Sequence, residues 1–288
     1  MGSKNRIAKY ILPIMLKEAN EKGITTWVEP FVGGANMIDK VPNNFQRIGI
    51  DYSAHTIEAL IAIRDLVDKL PNEVTVEYYN SLKGTEPHPI TSLIRFGASF
   101  GGKFENGYAR RDGKSMWMEC VRNSQKQSPN LQGVKFINGS YDEYSDFENC
   151  LIYCDPPYEG TTSYKTGAFD HLRFWDWCRK MSEKNLVFVS EYKAPDDFIC
   201  VWEGEVKTNF ASQRDEATHK AVEKLFKFSK KPIEGATIIA YGQEVKIVQV
   251  VTVKGKHRIY LEHPIVVPSV EYTRDYISSD EIQRYVDF

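Results

Sequence analysis

The stretch LIYCDPPYEG, residues 151–160, joins an apolar run to residue types that could do chemistry. Asp155 follows four residues suited to a buried strand, and Pro156, Pro157 and Tyr158 come directly after it. The prolines fix the backbone and remove two N–H donors, which leaves the Pro156 carbonyl free to accept a hydrogen bond. Asp155 and that carbonyl are then two adjacent acceptors, which suit the two N–H donors of an exocyclic amino group. The ring that carries such an amine can stack on Tyr158.

The letters D-P-P-Y are also compatible with an ordinary turn, because aspartate and proline are among the commonest turn residues. Asp155 would then cap the turn and Tyr158 would only pack. The context favours a ligand site, because ligands of open parallel sheets bind at the carboxyl ends of the strands. A second strand-like segment upstream, TTWVEPFVGG at residues 25–34, ends in a glycine turn.

The glycine turn lacks the G-x-G-x-x-G pattern that cradles phosphates, and a G-G turn alone is weak support for any ligand. This composition disfavours a dinucleotide or nucleoside triphosphate and suits a nucleoside without phosphates. The next predicted strand along the chain, RIGIDY at residues 47–52, contains Asp51 near its end. An acid about 20 residues beyond the glycines is placed to accept from ribose hydroxyls, although Asp51 could equally be a helix cap.

The order of segments predicts a sheet that brings these strand ends together. A strand, a glycine turn, a short helix from about Ala35, a second strand and an acid begin a doubly wound parallel sheet. Five further strands are predicted in VKFINGS, LIYCDPPY, LVFVSEY, FICVWEGEV and VEKLFKFS.

Besides the short helix from about Ala35, three helices are predicted around this sheet. Ser53 caps one, and Asp170 caps another, whose inward residues are Phe174, Trp177, Cys178 and Met181. The third opens the chain, and its buried face is predicted to consist of Ile7, Tyr10, Ile11 and Ile14.

Residues 81–133 interrupt the α/β pattern with glycine, arginine and aromatic residues of little periodicity, which predicts an insertion within the domain. Between Arg95 and Lys135 there are eight basic residues and three acidic ones, a local excess of five in a chain of net charge -2. Basic residues interleaved with aromatic ones are typical of nucleic-acid binding, although a solvated loop has the same composition.

After Lys231, alternating apolar and polar residues predict an all-β appendage of three to five strands, possessing the pattern of a small SH3-like barrel. Basic residues cluster around one predicted hairpin, at Lys246, Lys254, Lys256, His257 and Arg258. They suit a DNA clamp, or equally the charges that protect exposed strand edges.

The composition, with 42% hydrophobic and 26% charged residues, suits one large α/β domain plus a small appendage. No apolar run has the length needed to span a bilayer. The five cysteines form no C-x-x-C pair, which suggests reduced thiols in the cytosol. We expect a monomer that binds neither a membrane nor a metal.

Together the motifs resemble those of the Dam-like, D12-class DNA adenine-N6 methyltransferases over about residues 1–230. The resemblance rests on MGSKNRI, VEPFVGG, IDYSAHTIEAL, INGSYDEY, YCDPPY and VEKLF, in that order. It implies a Rossmann-like S-adenosylmethionine-dependent methyltransferase sheet in residues 1–231. An inserted target-recognition region at about 81–133 and a small C-terminal β-rich appendage at 232–288 complete the expected fold.

The resemblance also implies roles for individual residues. The S-adenosylmethionine pocket would include Lys4 at the methionine moiety, Asp51 at the ribose, and Glu29, Pro30, Phe31, Gly33, Gly34, Ser140, Tyr141 and Asp155. The catalytic turn, which holds the target adenine, would be Asp155, Pro156, Pro157 and Tyr158. DNA would contact the insertion through Lys103, Tyr108, Arg110, Arg111 and Lys114.

The implied reaction is methyl transfer to the N6 amino group of adenine in DNA, in the cytoplasm of a prokaryotic or phage-infected cell. The base must flip out of the duplex, and the methyl group would transfer in line to a nitrogen whose developing charge is stabilised by Asp155 and the Pro156 carbonyl.

Other functions remain open. An N-methyltransferase acting on RNA, a small molecule or a protein amide would share the PPY turn, although enzymes acting on amides typically carry Asn at position 155. A catalytically silent nucleic-acid-binding module is a second alternative. A Rossmann oxidoreductase is disfavoured by the missing G-x-G-x-x-G pattern.

Overall fold

The computed structural model describes residues 4–110, 115–158, 169–195, 197–207, 220–229, 237–253, 256–267, 273–278 and 284–285. Arg111 and Lys114 therefore lie outside the described residues. The chain forms two compact units: Met1–Ala194 with Cys200–Phe228, and Pro195–Ile199 with Ser229–Phe288.

The first unit contains a seven-stranded sheet in the order β3-β2-β1-β4-β5-β7-β6. Its strands are β1 (Thr26–Glu29), β2 (Gln46–Asp51), β3 (Lys135–Asn138), β4 (Leu151–Cys154), β5 (Leu186–Glu191), β6 (Phe198–Lys207) and β7 (Lys220–Phe228). β1 to β5 pair in parallel, and β7 is antiparallel to β5. The predicted Rossmann-like sheet, with all seven predicted strands, is confirmed.

In the described ranges, six α-helices accompany the sheet: α1 (Ala8–Glu21), α2 (Ala54–Asp65), α3 (Val76–Ser81), α4 (Pro89–Gly97), α5 (Met116–Leu131) and α6 (His171–Met181). Side-chain oxygens begin four of them, because Ser53, Thr75, Ser115 and Asp170 each accept the backbone N–H three residues on. The predicted caps Ser53 and Asp170 are confirmed, and so is the inward face of α6.

Two local predictions were wrong. Tyr10 is 51% exposed, because the buried face of α1 follows the spacing of Ala8, Ile11, Leu12 and Met15. Tyr10 instead stacks on Trp202, with ring centroids 6.1 Å apart. No α-helix starts at Ala35, whose φ of 56° is left-handed; a single 3-10 turn follows at Ile38–Lys40.

The predicted lack of regular structure in residues 81–133 was also wrong, because α4 and α5 lie within this range. Leu93, Ile94 and Trp117 join the same buried cluster as Trp27 and Tyr153 of the sheet. These two helices are therefore part of the packed first unit.

The second unit is a five-stranded antiparallel sheet in the order β11-β10-β9-β8-β12. Its strands are β8 (Thr237–Ala240), β9 (Gln243–Val253), β10 (Lys256–Val266), β11 (Thr273–Ser278) and β12 (Arg284–Tyr285). Tyr241 and Gly242 join β8 to β9, both with positive φ, as tight hairpin turns require. The core contains Val245, Ile247, Ile259, Leu261, Ile265 and Ile277. The prediction of a β-rich C-terminal segment is confirmed.

Candidate active site

Acidic residues lie where four neighbouring strands of the first unit end. Glu29, Asp51 and Glu191 are the last residues of β1, β2 and β5, and Asp155 follows β4 directly. Because these strands are parallel, the four acids lie along one edge of the sheet. This edge is where an open α/β sheet binds its ligands.

The glycine turn after β1 is fastened to the end of β2 by Asp51. Its Oδ2 accepts from the Gly33 N–H at 3.0 Å, and its Oδ1 accepts from the Ser53 N–H at 2.9 Å. Burial raises the pKa of Asp51, and the hydrogen bonds from Ser53 and Gly33 oppose the rise. Gly33 has a φ of 49°, a left-handed conformation that glycine adopts without strain. Asp51 thus holds both the glycine turn and Ser53, the residue that caps α2.

Phe31, in the same turn, contacts an aromatic cluster. Its ring centroid is 5.3 Å from that of Tyr141 and 5.6 Å from that of Phe174 on α6. Tyr141 also lies 5.3 Å from Trp177, and burial raises the pKa of Tyr141 to about 12. The predicted residues Phe31 and Tyr141 are therefore in contact. Ser140, beside them, donates a hydrogen bond to the Asp142 carboxylate.

Glu29 and Pro30 are buried beneath the turn. The Trp27 indole N–H donates to Glu29 Oε1 at 2.8 Å. Burial raises the pKa of Glu29 well above its ordinary value, a shift that the Trp27 hydrogen bond reduces. Gly34 is exposed, and its carbonyl accepts from Gln127 of α5 at 3.0 Å.

Lys4 reaches the D-P-P-Y turn from the 3-10 turn Lys4–Arg6 at the start of the described chain. Its Nζ is 3.3 Å from Asp155 Oδ1 and 2.8 Å from Glu223 Oε2, and it donates to the Tyr158 hydroxyl. The Tyr158 hydroxyl in turn donates to Glu223 Oε2 at 2.7 Å. The ring of Tyr158 lies edge-to-face with Tyr192, with centroids 4.6 Å apart. Four polar groups from distant parts of the sequence therefore form one cluster.

The charges in this cluster perturb one another. Burial raises the pKa of Asp155 to about 6; Lys4 lowers it and Glu223 raises it. Burial alone would lower the pKa of Lys4, but the Asp155 and Glu223 carboxylates outweigh it and the pKa is raised. Burial, together with the same two carboxylates, raises the pKa of Tyr158. By formal charge, the cluster combines the ammonium of Lys4 with the carboxylates of Asp155 and Glu223, a net charge of -1.

The insertion contributes a loop held by hydrogen bonds across its base. Ser99 and Tyr108 form an antiparallel bridge, and the Phe100 N–H donates to the Gly107 carbonyl at 2.8 Å. Lys103 and Arg110 are exposed, as DNA contacts require. Phe100, one of the aromatic residues interleaved with the basic ones, is 66% exposed.

Tyr108 does not project from this loop. Its hydroxyl donates to the Val74 carbonyl at 2.8 Å, and its ring lies edge-on to buried Tyr79. Buried Arg95 holds the loop from inside, with Nη2 2.6 Å from Glu105 Oε1 and its guanidinium 4.4 Å from the Phe104 ring centroid. Tyr108 is thus half-buried and anchors the loop.

Glu223, Tyr192 and Gln127 are the candidate site residues that sequence reasoning missed. Glu223 stands in VEKLF, a segment that the motifs identify only by its apolar residues. Its one detectable signal is an acid within a strand that is otherwise partly apolar. Tyr192 ends LVFVSEY, a segment predicted only as a strand, and Gln127 lies outside every quoted segment.

Two general properties complete the description. Within the described ranges, every helix is too short or too polar to cross a membrane. In the same part of the chain, no three His, Cys, Asp or Glu side chains converge in a way that could hold a metal ion.

Known proteins similar to this chain fall among the methyltransferases. The family model of the D12 class N6 adenine-specific DNA methyltransferases matches residues 1–87. The Type II methyltransferase M.MjaIII of Methanocaldococcus jannaschii is 24% identical over 252 residues, which cover 70% of this chain and 86% of that protein.

Two solved structures are similar to this chain at very low identity and low TM-score. The yhhF protein of Escherichia coli, described provisionally as a methyltransferase, is 7% identical and has a TM-score of 0.36, covering 78% of this chain and 88% of that one. PH1948 of Pyrococcus horikoshii, described provisionally as an RNA methyltransferase, is 9% identical and has a TM-score of 0.37. The match covers 76% of this chain and 81% of that one.

The family match contains the glycine turn and Asp51, two of the features on which the motif resemblance rests. The resemblance of this chain to the D12 class of N6 adenine-specific DNA methyltransferases is therefore confirmed.

Proposed function

We propose that this protein transfers a methyl group from S-adenosylmethionine to the N6 amino group of adenine in DNA. The position of Asp155 is the observation that carries the proposal. Its carboxylate follows β4 at the sheet edge that also holds Asp51 and the glycine turn. Methyl transfer from S-adenosylmethionine to adenine needs two sites side by side. One is a group that accepts hydrogen bonds from the adenine amine, and the other is a nucleoside site for the methyl donor.

The residues of the edge fit S-adenosylmethionine. Each oxygen of Asp51 accepts one hydrogen bond from a backbone N–H. A carboxylate can accept about four hydrogen bonds in all. It can therefore also accept from ribose hydroxyls. Phe31 and Tyr141 offer aromatic surface beside the turn. The net negative charge around Asp155 suits a cation, and bound S-adenosylmethionine would supply a methyl group on a positively charged sulfur.

Asp155 and the Pro156 carbonyl are the groups that would bind the adenine amine. Each would accept one N–H, and an ionised Asp155 would stabilise the positive charge that develops on the nitrogen. Its pKa of about 6 leaves it ionised at neutral pH. An adenine in a duplex must leave the base stack to reach this position. The ring of Tyr158, fixed by its hydroxyl, would stack on the extruded base.

We further propose that residues 1–231 form the methyltransferase domain, that 81–133 recognise the target and that 232–288 assist DNA binding. Exposed Lys103 and Arg110 support the second role. Truncation after residue 231 should leave S-adenosylmethionine binding intact and weaken DNA binding. Loss of cofactor binding in the truncated protein would contradict this division.

Methyl transfer from labelled S-adenosylmethionine to duplex DNA, RNA and protein tests the substrate class. We expect label in DNA alone. Label only in RNA or protein would assign the chain to one of the alternative N-methyltransferase classes. S-adenosylmethionine that fails to bind in calorimetry would support a silent nucleic-acid-binding module.

A further inference from the structure

Glu223 lies near the start of β7, at the edge where the parallel strands end. β7 is antiparallel to β5, and Lys224 pairs with Glu191, the last residue of β5. Leu225 shares a strand face with Glu223 and is fully buried. The Glu223 side chain is itself only 13% exposed. Because β7 pairs antiparallel with β5, the nearly buried Glu223 carboxylate lies in the candidate active site.

One oxygen of Glu223 accepts two hydrogen bonds. Oε2 is 2.7 Å from the Tyr158 hydroxyl and 2.8 Å from Lys4 Nζ. A single carboxylate therefore joins the beginning of the chain, the D-P-P-Y turn and β7. A charge with so little exposure is costly unless it is paired, and here both partners belong to the site.

Lys4 has a second carboxylate within reach, because its Nζ is 3.3 Å from Asp155 Oδ1. Under the proposed function, Asp155 must accept a hydrogen bond from the adenine amine. A closed ion pair between Lys4 and Asp155 would compete with that amine. Glu223 lies nearer to the ammonium than Asp155 does, and it takes a share of the positive charge.

We propose that Glu223 is a positioning residue for methyl transfer, which keeps the Lys4 ammonium from closing on Asp155 and fixes the Tyr158 ring through its hydroxyl. The assignment rests on the proposed function and deepens it. Glu223 acts through Lys4 and Tyr158, the two groups that it binds.

The charge of Glu223 also bears on the ionisation of Asp155. The titratable groups that face or electrostatically influence Asp155 are Lys4, Glu29, Tyr153, Tyr158, Tyr192 and Glu223. Among these, Lys4 lowers the pKa of Asp155 and Glu223 raises it, on top of the larger rise caused by burial. Neutralising Glu223 removes a negative charge near Asp155 and leaves Asp155 as the carboxylate that pairs with the Lys4 ammonium. Both changes lower the pKa of Asp155.

The test compares Glu223→Gln with the wild type and with Glu203→Gln, which neutralises an exposed carboxylate on β6. Single-turnover methyl transfer to adenine-containing duplex DNA, calorimetry of S-adenosylmethionine binding and the pH profile of kcat/KM are measured for each. Glu223→Gln should transfer methyl about 10- to 100-fold more slowly, as loss of a charged hydrogen-bond partner implies. Its affinity for S-adenosylmethionine should fall by less than its transfer rate, because Glu223 supplies part of the negative charge of the cluster, and the acid limb of its pH profile should move to lower pH. Glu203→Gln should match the wild type.

Wild-type transfer rates in Glu223→Gln, with an unmoved acid limb, would overturn the assignment. If Glu223→Gln does not fold, Tyr158→Phe replaces it, because this change removes the hydroxyl donor and keeps the ring. Slower transfer in Tyr158→Phe supports the assignment, and wild-type transfer overturns it. A wild-type protein that binds S-adenosylmethionine without methylating adenine refutes the proposed function itself, whereas an active wild type with an unaffected Glu223→Gln refutes only the role of Glu223.

Discussion

Asp51→Asn tests whether the carboxylate between β2 and the glycine turn serves a ligand as well as the fold. The two Asp51 oxygens accept backbone N–H groups from Gly33 and Ser53, at 3.0 and 2.9 Å. An asparagine keeps the shape but presents an NH2 donor group in place of one acceptor oxygen. One of the two backbone N–H groups then loses its partner.

The stability cost of this change is set by two opposing effects. A lost hydrogen bond to a buried charged group lowers the free energy of unfolding by about 1–3 kcal/mol. Burial, however, disfavours the ionised carboxylate, as the raised pKa of Asp51 indicates. A neutral amide recovers part of that penalty. We expect a net loss of about 1 kcal/mol, which leaves the protein folded.

The effect on S-adenosylmethionine should be larger than the effect on stability. A ribose hydroxyl bound to a carboxylate contributes about 1.5–3 kcal/mol, so its loss weakens binding about tenfold to a hundredfold. Isothermal calorimetry gives the dissociation constant, and thermal unfolding shows that the variant is folded. Asp65→Asn, at the exposed end of α2, is the matched control and should bind as the wild type does. A folded Asp51→Asn with wild-type affinity would refute the ribose assignment.

Three further outcomes follow from the charges described. Because burial raises the pKa of Asp155 to about 6, kcat/KM should fall as the pH drops below about 6, where protonation removes an acceptor; a flat profile down to pH 5 would exclude Asp155 as the titrating group. Replacing exposed Lys103 and Arg110 together with alanine should reduce the slope of log affinity for DNA against log salt by about 2. An unchanged slope would remove both from the interface. Arg95→Met should lower the free energy of unfolding by about 1–3 kcal/mol in urea titrations, because Glu105 and the Thr85 carbonyl lose a charged donor that is itself buried. A midpoint equal to that of the wild type would show that the loop does not depend on Arg95.

The sheet was predictable because each of its strands has a recognisable local sequence pattern. β4 and β5 are continuous apolar runs, as buried parallel strands are, and the acids that follow them mark the strand ends. The same local patterns located Asp51 and Asp155, the two carboxylates on which the proposed function depends. Short strands with clear ends need no tertiary information to be recognised.

The cluster around Glu223 was not predictable in the same way. Lys4 and Glu223 are 219 residues apart, and their contact depends on the insertion of β7 beside β5. No periodicity encodes which strand becomes the neighbour of another. Tyr108 shows the same limit: composition groups it with the basic insertion, and no local pattern indicates that its hydroxyl donates to the carbonyl of Val74, 34 residues away.

The most direct test of the central claim identifies which base the protein methylates. Duplex DNA is incubated with S-adenosylmethionine and the protein, digested to nucleosides and analysed by mass spectrometry. We predict N6-methyladenine with the wild-type protein and none above background with a folded Asp155→Ala variant. N6-methyladenine formed equally by both proteins, or methylation confined to another base, would contradict the account.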